Sequence, residues 1–291
     1  MALIKPNRMP QAVFKQSGKR MTNPSREPYR HVIVAIDGSE LSRFAVIGGA
    51  MLATMTSAEL HVFHAAWSLE SEAAATDEAA YLLGEGAYKL VVRDLGSASV
   101  ARMIADYATE LGDAAIVAIG THGRSGVGTT LLGSTAVELV AGSEFPILAY
   151  GPRAASPTDI TRVVACVDGS EFSESTVAEG HRWASALNVP LWLVQVVPPD
   201  LPPNLKEIES NYVHNQARGV PGLKNKVEWE VLHSDNPAQA ILEWHANDPA
   251  ALLVMATHGR LGLQRVLLGS VSSQVVRGAW GPVVLIRPSR Q

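Results

Sequence analysis

One pattern occurs twice in this chain, at a spacing that fixes its architecture. Ile119-Gly120-Thr121-His122-Gly123-Arg124 opens a run of nine residues, Arg124 to Leu132, that ends at Gly133-Ser134. Met255-Ala256-Thr257-His258-Gly259-Arg260 opens a second nine-residue run, Arg260 to Leu268, that ends at Gly269-Ser270. An upstream pair matches as well: Val32 to Asp37-Gly38-Ser39-Glu40, and Val163 to Asp168-Gly169-Ser170-Glu171. Asp37 and Asp168 lie 131 residues apart, and Gly123 and Gly259 lie 136 apart, so the copies are collinear. Solenoid repeats run roughly 20–50 residues, far below this period. The duplicated unit is therefore a whole domain, and 291 residues accommodate two.

Within each copy, apolar runs suited to buried parallel strands alternate with helical periodicity. In the first, strands are expected at 30–36, 59–66, 88–94, 115–119 and 147–150. Helices are expected at 41–54, 71–83, 97–111 and 134–141, with Ser39 as an N-cap. In the second, the strands fall at 162–167, 191–196, 227–232, 252–255 and 283–286, and the helices at 173–187, 237–247 and 270–278, with a shorter one within 204–217. Asn236-Pro237 combines a polar cap with a proline in the first turn. The fold class is α/β, as two tandem doubly wound five-stranded parallel-sheet domains. Ligands in such sheets bind at the carboxyl ends of strands where strand order reverses. Both motifs follow strands one and four, so a strand order of 3-2-1-4-5 would place them in one crevice. The expected boundaries are a tail at 1–28, domains at 29–152 and 162–291, and a linker at 153–161.

Composition narrows the function classes. Hydrophobic residues make up 47% and charged residues 18%, close enough to averages of roughly 45–50% and 25% to exclude wholesale disorder. A net charge of −4 leaves no nucleic-acid footprint. No apolar run reaches the roughly 18 residues of a membrane span. The single cysteine, Cys166, excludes an intrachain disulfide and favours a cytoplasmic setting. The first 28 residues are basic and proline-broken without a long apolar core, which excludes a secretory signal. A disordered tail, or translation starting at Met9 or Met21, accounts for them; a transit peptide or anion-binding arm is the alternative.

Gly120 and Gly123 allow close backbone approach where strand four ends. Gly133-Ser134 opens a helix whose first N–H groups are unpaired and carry partial positive charge, a natural partner for phosphate. The Ser134 or Thr135 hydroxyl can add a hydrogen bond. Ordinary turn and cap glycines explain one such copy more readily than two. Asp37 and Asp168 can bind a ribose diol or a phosphate-bound Mg2+, or cap the following helix. Arg124 and Arg260 face either phosphate or solvent. His122 and His258 fit a bond that holds the loop better than catalysis, since no nucleophile or carboxylate recurs at a fixed offset. The remaining histidines show no metal-ligand spacing; His61 and His64 fall on opposite faces of a strand. Cys166 reads as a small buried residue lining the pocket.

These residues resemble the universal stress protein family, whose nucleotide signature Gly-x2-Gly-x9-Gly-Ser/Thr is met by Gly120, Gly123, Gly133 and Ser134. The second copy departs at one position, Ala256: a small obstacle unless that residue needs a positive φ. The resemblance spans about residues 29–290. It implies ATP binding with Mg2+ and a role in stress response or signalling. It implies adenine contacts near Ala35, Ile36, Ala65, Cys166, Val167 and Val196, with Ile119 and Met255 flanking the base or ribose. The ribose carboxylates would be Asp37 and Asp168. The phosphate loops would be Gly120, Gly123, Arg124, Gly133, Ser134 and Thr135, and Ala256, Gly259, Arg260, Gly269, Ser270 and Val271. It also implies pairing through the fifth strands, 146–150 with 282–287, as an intrachain pseudo-dimer, or between chains as a homodimer. Two other functions compete: a scaffold or sensor for another small ligand, and an adenylating enzyme. The Ser-Gly-Gly-x-Asp-Ser, His-x-Gly-His and Lys-rich loops of such enzymes are absent from the sequence, so at most slow ATP hydrolysis is expected.

Overall fold

The computed structural model describes residues 29–84, 88–96, 98–112, 114–121, 133–143, 145–154, 159–220, 227–257 and 268–287. The first repeat runs β1 (His31–Ala35), α1 (Glu40–Thr56), β2 (Glu59–Ala66), α2 (Leu69–Leu83), β3 (Lys89–Asp94), α3 (Val100–Leu111), β4 (Ala115–Gly120), α4 (Ser134–Gly142) and β5 (Ile147–Tyr150). The second runs β6 (Arg162–Val167), α5 (Glu171–Leu187), β7 (Leu191–Val197), α6 (Pro203–Gly219), β8 (Val227–His233), α7 (Pro237–Ala246), β9 (Ala251–Ala256), α8 (Ser270–Gly278) and β10 (Val283–Ile286). Every expected element is present. Boundaries shift where a cap decides them: α3 starts at Val100 because the Ser99 hydroxyl accepts from the Arg102 N–H at 3.2 Å.

All ten strands form one sheet in the order β3-β2-β1-β4-β5-β10-β9-β6-β7-β8. Each half has the expected order 3-2-1-4-5 and is parallel throughout. The halves meet through β5 and β10, which pair antiparallel with Leu148 opposite Val284. The fifth strands thus join the repeats within the chain, as a pseudo-dimer. A second tie crosses between them: the Tyr29 hydroxyl donates to Glu179 on α5, and the Tyr29 ring lies 5.1 Å from that of Trp183.

The central strands are buried on both faces, whereas the edge strands β3 and β8 are largely half-buried or exposed. One face packs Val32, Val34 and Val62 beneath α1 and α2; the other packs Ile33, Phe63 and Val117 beneath α3 and α4. Small residues set how closely the first layer docks. A Cβ on Gly49 of α1 would lie 2.2 Å from Val34 Cγ1, whereas one on its repeat counterpart Gly180 of α5 would lie 3.0 Å from Leu191 Cδ1. No helix among the described residues is long and apolar enough to cross a membrane.

Alanine should therefore act differently at these two glycines. It offers roughly 1 kcal/mol of helix propensity at either, but at Gly49 overpacking should dominate, with a net loss of about 1–3 kcal/mol. Gly180→Ala should remain within about 1 kcal/mol of the parent. Urea midpoints decide this, and equal losses would contradict the difference in packing.

A second prediction concerns His245, fully buried in the last turn of α7, with neither ring nitrogen hydrogen-bonded. Burial lowers its pKa to about 4, outweighing the opposing charge of Asp248. The unfolded chain takes up this proton below about pH 6.5 and the folded chain does not, so the stability it contributes is complete above pH 6.5 and falls as pH drops toward 4. The loss should approach roughly 3 kcal/mol by pH 4. Thermal melts from pH 7 to 4 should show this slope, and a folded His245→Leu variant should flatten it.

Candidate functional site

Placing β4 beside β1 brings the two motifs together. Val34 lies opposite Ala118 and Ala35 opposite Phe63, so the ends of β2, β1 and β4 are adjacent. In the second half Ala165 lies opposite Val254 and Val167 opposite Gln195, giving the same juxtaposition of β7, β6 and β9.

Each Asp-Gly-Ser segment makes a tight turn between strand and helix. Gly38 and Gly169 have φ of 79° and 81°, a conformation glycine adopts without strain. Asp37 Oδ1 accepts from the Ser39 N–H at 2.9 Å, and Asp168 Oδ1 accepts from the Ser170 N–H at 3.0 Å and its hydroxyl at 2.6 Å. Ser39 and Ser170 in turn cap α1 and α5. The two aspartates thus brace the turn that presents the capping serines rather than cap the helices themselves.

The glycine loops spring from closed necks. The Thr121 N–H donates to Tyr150 O at 2.9 Å, and the Gly133 N–H returns to Thr121 O at 2.6 Å. The second copy repeats this: Thr257 N–H to Ile286 O at 2.9 Å, and Gly269 N–H to Thr257 O at 2.7 Å. The segment after each fourth strand therefore begins and ends at one point, directly before α4 or α8. Gly133 and Gly269 cap those helices without a side-chain hydrogen bond, whereas α1, α2, α3, α5 and α7 are capped by Ser39, Ser68, Ser99, Ser170 and Asn236. The helices that follow the glycine loops thus present their first-turn N–H groups with no side chain in competition. The threonines of the necks were not singled out from sequence, although their recurrence in both copies is the signal that marks them.

The sheet face sorts the remaining candidates. Ala35, Ala65 and Ile119 belong to the α3/α4 face, as do Cys166, Val196, Met255 and Val271. Ile36 and Val167 point to the opposite face, toward α1 and α5. The Ile36 backbone is also engaged: its N–H donates to Phe63 O at 3.0 Å, and His64 Nδ1 lies 3.1 Å from its carbonyl. Ala35, Gly120, Val196 and Ala256 are half-buried at or near the carboxyl ends of their strands. Ser134 and Thr135 lie in the first turn of α4, and Ser270 and Val271 in that of α8. Burial pushes the Cys166 thiol up to about 12, so it stays protonated and serves packing. His122, Gly123, Arg124, His258, Gly259 and Arg260 lie outside the described residues.

Neither Gly120 nor Ala256 has a positive φ. Gly120 is needed for close approach: a Cβ there would lie 2.7 Å from the Leu41 carbonyl carbon and 2.9 Å from its oxygen. The residue of α5 equivalent to Leu41 is Phe172, which is exposed. The alanine of the second copy imposes no backbone strain, since its φ is not positive.

The universal stress protein family profile matches residues 28–151 and again 159–287. This chain is a tandem-domain member of that family. A universal stress protein of Mycolicibacterium smegmatis is 30% identical over 217 residues, covering 71% of this chain and 72% of that protein. One from Mycobacterium tuberculosis is 30% identical over 232 residues, covering 74% and 68%. Among solved structures, a universal stress protein from Archaeoglobus fulgidus superposes with a TM-score of 0.63 at 18% identity, covering 90% of this chain and 99% of that one. A protein of unknown function from Pseudomonas aeruginosa gives 0.62 at 18% identity, covering 90% and 94%.

The crowding at Gly120 makes a prediction. Gly120→Ala should cost about 1–3 kcal/mol by pushing α1 off the sheet, whereas Ala256→Gly should change stability by less than about 1 kcal/mol. Denaturant unfolding of both variants tests this, and an Ala256→Gly loss as large as that of Gly120→Ala would overturn it.

Proposed function

We propose that this protein binds ATP with Mg2+ in crevices at the carboxyl ends of β1/β4 and β6/β9, and acts in stress response or signalling without being an enzyme. The observation that carries this is the duplicated closed neck, which delivers a glycine loop to a helix N-terminus that no side chain caps. Phosphate oxygens are the natural ligands of such N–H groups. Gly120, Gly123, Arg124, Gly133, Ser134 and Thr135 would form the first phosphate loop, and Ala256, Gly259, Arg260, Gly269, Ser270 and Val271 the second. Ala35, Ala65 and Ile119, with Cys166, Val196 and Met255, would line the base on one face of the sheet. Ile36 and Val167 would contribute only through backbone. Asp37 and Asp168 would meet the ribose or the cation through their carboxylates. A single carboxylate per site suits Mg2+, which uses one or two together with phosphate oxygens and water. A cytoplasmic setting accords with the one buried thiol.

Mass spectrometry of ligand released from denatured protein should find ATP or ADP at one to two per chain. Its absence, with no thermal shift on adding ATP-Mg2+, would favour a scaffold or a sensor of another ligand. The first site should bind at least as tightly as the second. In equilibrium titrations Gly123→Val should therefore weaken nucleotide binding at least as much as Gly259→Val, and tighter binding retained by the Gly123 variant would sink that ranking.

A further inference from the structure

The opposite end of the first repeat holds a group of side chains that the nucleotide reading does not use. His31 opens β1 and pairs in register with Glu59, the first residue of β2; His61 lies two residues further along β2. Alternation puts all three on the face covered by α3. His31 Nδ1 lies 3.1 Å from His61 Nε2, and Glu59 Oε2 lies 3.6 Å from each of these nitrogens. These three atoms form the one such group of His, Cys, Asp and Glu ligand atoms among the described residues.

We propose that His31, Glu59 and His61 bind a zinc-type divalent cation. The point equidistant from the corners of a triangle with sides of 3.1, 3.6 and 3.6 Å lies about 2.0 Å from each, and zinc sits about 2.0–2.2 Å from imidazole nitrogen and carboxylate oxygen. An ion slightly out of that plane meets all three at bonding distance with no movement of the backbone. Two imidazoles and one carboxylate leave a fourth position for water. His61 is buried, His31 is half-buried and Glu59 is exposed, so that position faces solvent.

An outer partner is already in place. His61 Nδ1 lies 2.7 Å from the hydroxyl of Tyr107 on α3. With its proton on Nδ1, His61 donates to Tyr107 and turns its Nε2 lone pair to the ion, the arrangement that orients metal-bound histidines. Lys89, exposed and opposite His61 on β3, is an opposing charge.

The second repeat provides an internal comparison. The residues equivalent to His31 and His61 are Arg162 and Trp192. The Arg162 guanidinium lies 5.3 Å from the centre of the Trp192 ring and pairs with Asp248 at 2.6 Å. That corner carries its own cation, held by an aromatic face and a carboxylate. The first repeat instead gathers three lone-pair donors around one point.

The test is Zn2+ titration of the full chain, stripped with chelator and free of nucleotide, against a competing fluorescent chelator, with Co2+ absorption as a second readout. One ion per chain should bind, and Co2+ should show the visible bands of a four-coordinate site. Glu59→Gln, on an exposed side chain, and His31→Asn should each weaken binding roughly tenfold or more, and Tyr107→Phe should weaken it by a similar factor. Lys89→Ala should bind at least as tightly as the parent. Equal melting of Glu59→Gln and parent in chelator separates lost ligation from lost folding. No saturable binding, or binding within twofold of the parent in both Glu59→Gln and His31→Asn, would overturn the proposal. In that case the pair is a plain hydrogen bond from His31 to His61.

Discussion

The pairing of β4 with β1 is the constraint on which the rest of the molecule depends. A chain that laid its strands in sequence order would put β4 beside β3, and the two motifs would fall at distant points of the sheet edge. By returning across β2 and β1, the chain creates a reversal of strand order at which the Asp-Gly-Ser turn and the glycine loop become neighbours. Two hydrogen bonds then fix the loop's exit: Thr121 to β5, and Gly133 back to Thr121. Because α4 starts immediately after this neck, its N-terminus is aimed by the sheet rather than by the loop. The same hydrogen bonds in the second half, built from a sequence that differs at Ala256, show that the backbone scheme and not one particular glycine defines the neck.

The β5–β10 seam gives this arrangement its symmetry. Each half is parallel and the seam is antiparallel, so the carboxyl ends of the two halves lie on opposite edges of the ten-stranded sheet. The two crevices cannot merge. Four strand intervals separate their centres laterally, roughly 19 Å at a typical spacing of 4.8 Å, and the length of a strand separates them along the other axis. Influence of one bound nucleotide on the other would pass through the packed residues of the seam, Leu148 and Val284 among them, or through the contacts of Tyr29 with Glu179 and Trp183 on α5.

How much of this was legible in the sequence differs by level. The ten strands, their order and the joining of the fifth strands followed from the doubled motif, apolar runs and family resemblance, because buried parallel strands and helix caps leave local traces. The limits of α2 and α3 were less legible, since Ser68 and Ser99 compete as caps with nearby serines and only tertiary packing selects between them. Within the candidate site, the face of each residue at a strand end depends on register, so Ile36 and Ala35 look equivalent in sequence and diverge in the fold. The reason for glycine at 120 is the Leu41 backbone, a contact across 79 residues that no local pattern encodes. His31, Glu59 and His61 escaped notice for the same reason: their spacing along the chain matches no ligand motif, and the cross-strand register alone brings them together.

The polarity of a parallel sheet explains why the first repeat can carry two sites without conflict. At the carboxyl ends of β1 and β4, helix N-termini and glycines set a partly positive, backbone-lined surface suited to anions. At the amino ends of β1 and β2, no helix N-terminus intervenes between His31 and Glu59, and imidazoles with a carboxylate favour a cation. The strands between are five to eight residues long and filled on both faces by Val32, Ile33, Val34, Val62 and Phe63, so the two surfaces are insulated by a dry core. A cation at one end would stabilise the start of β1 against β2, and a nucleotide at the other would hold the end of β1 against β4. Both would act on the same central strand, and neither needs the other to bind. A charge change at His31 or Glu59 therefore bears on cation affinity alone, whereas a disruption of β1 itself would affect both ends together.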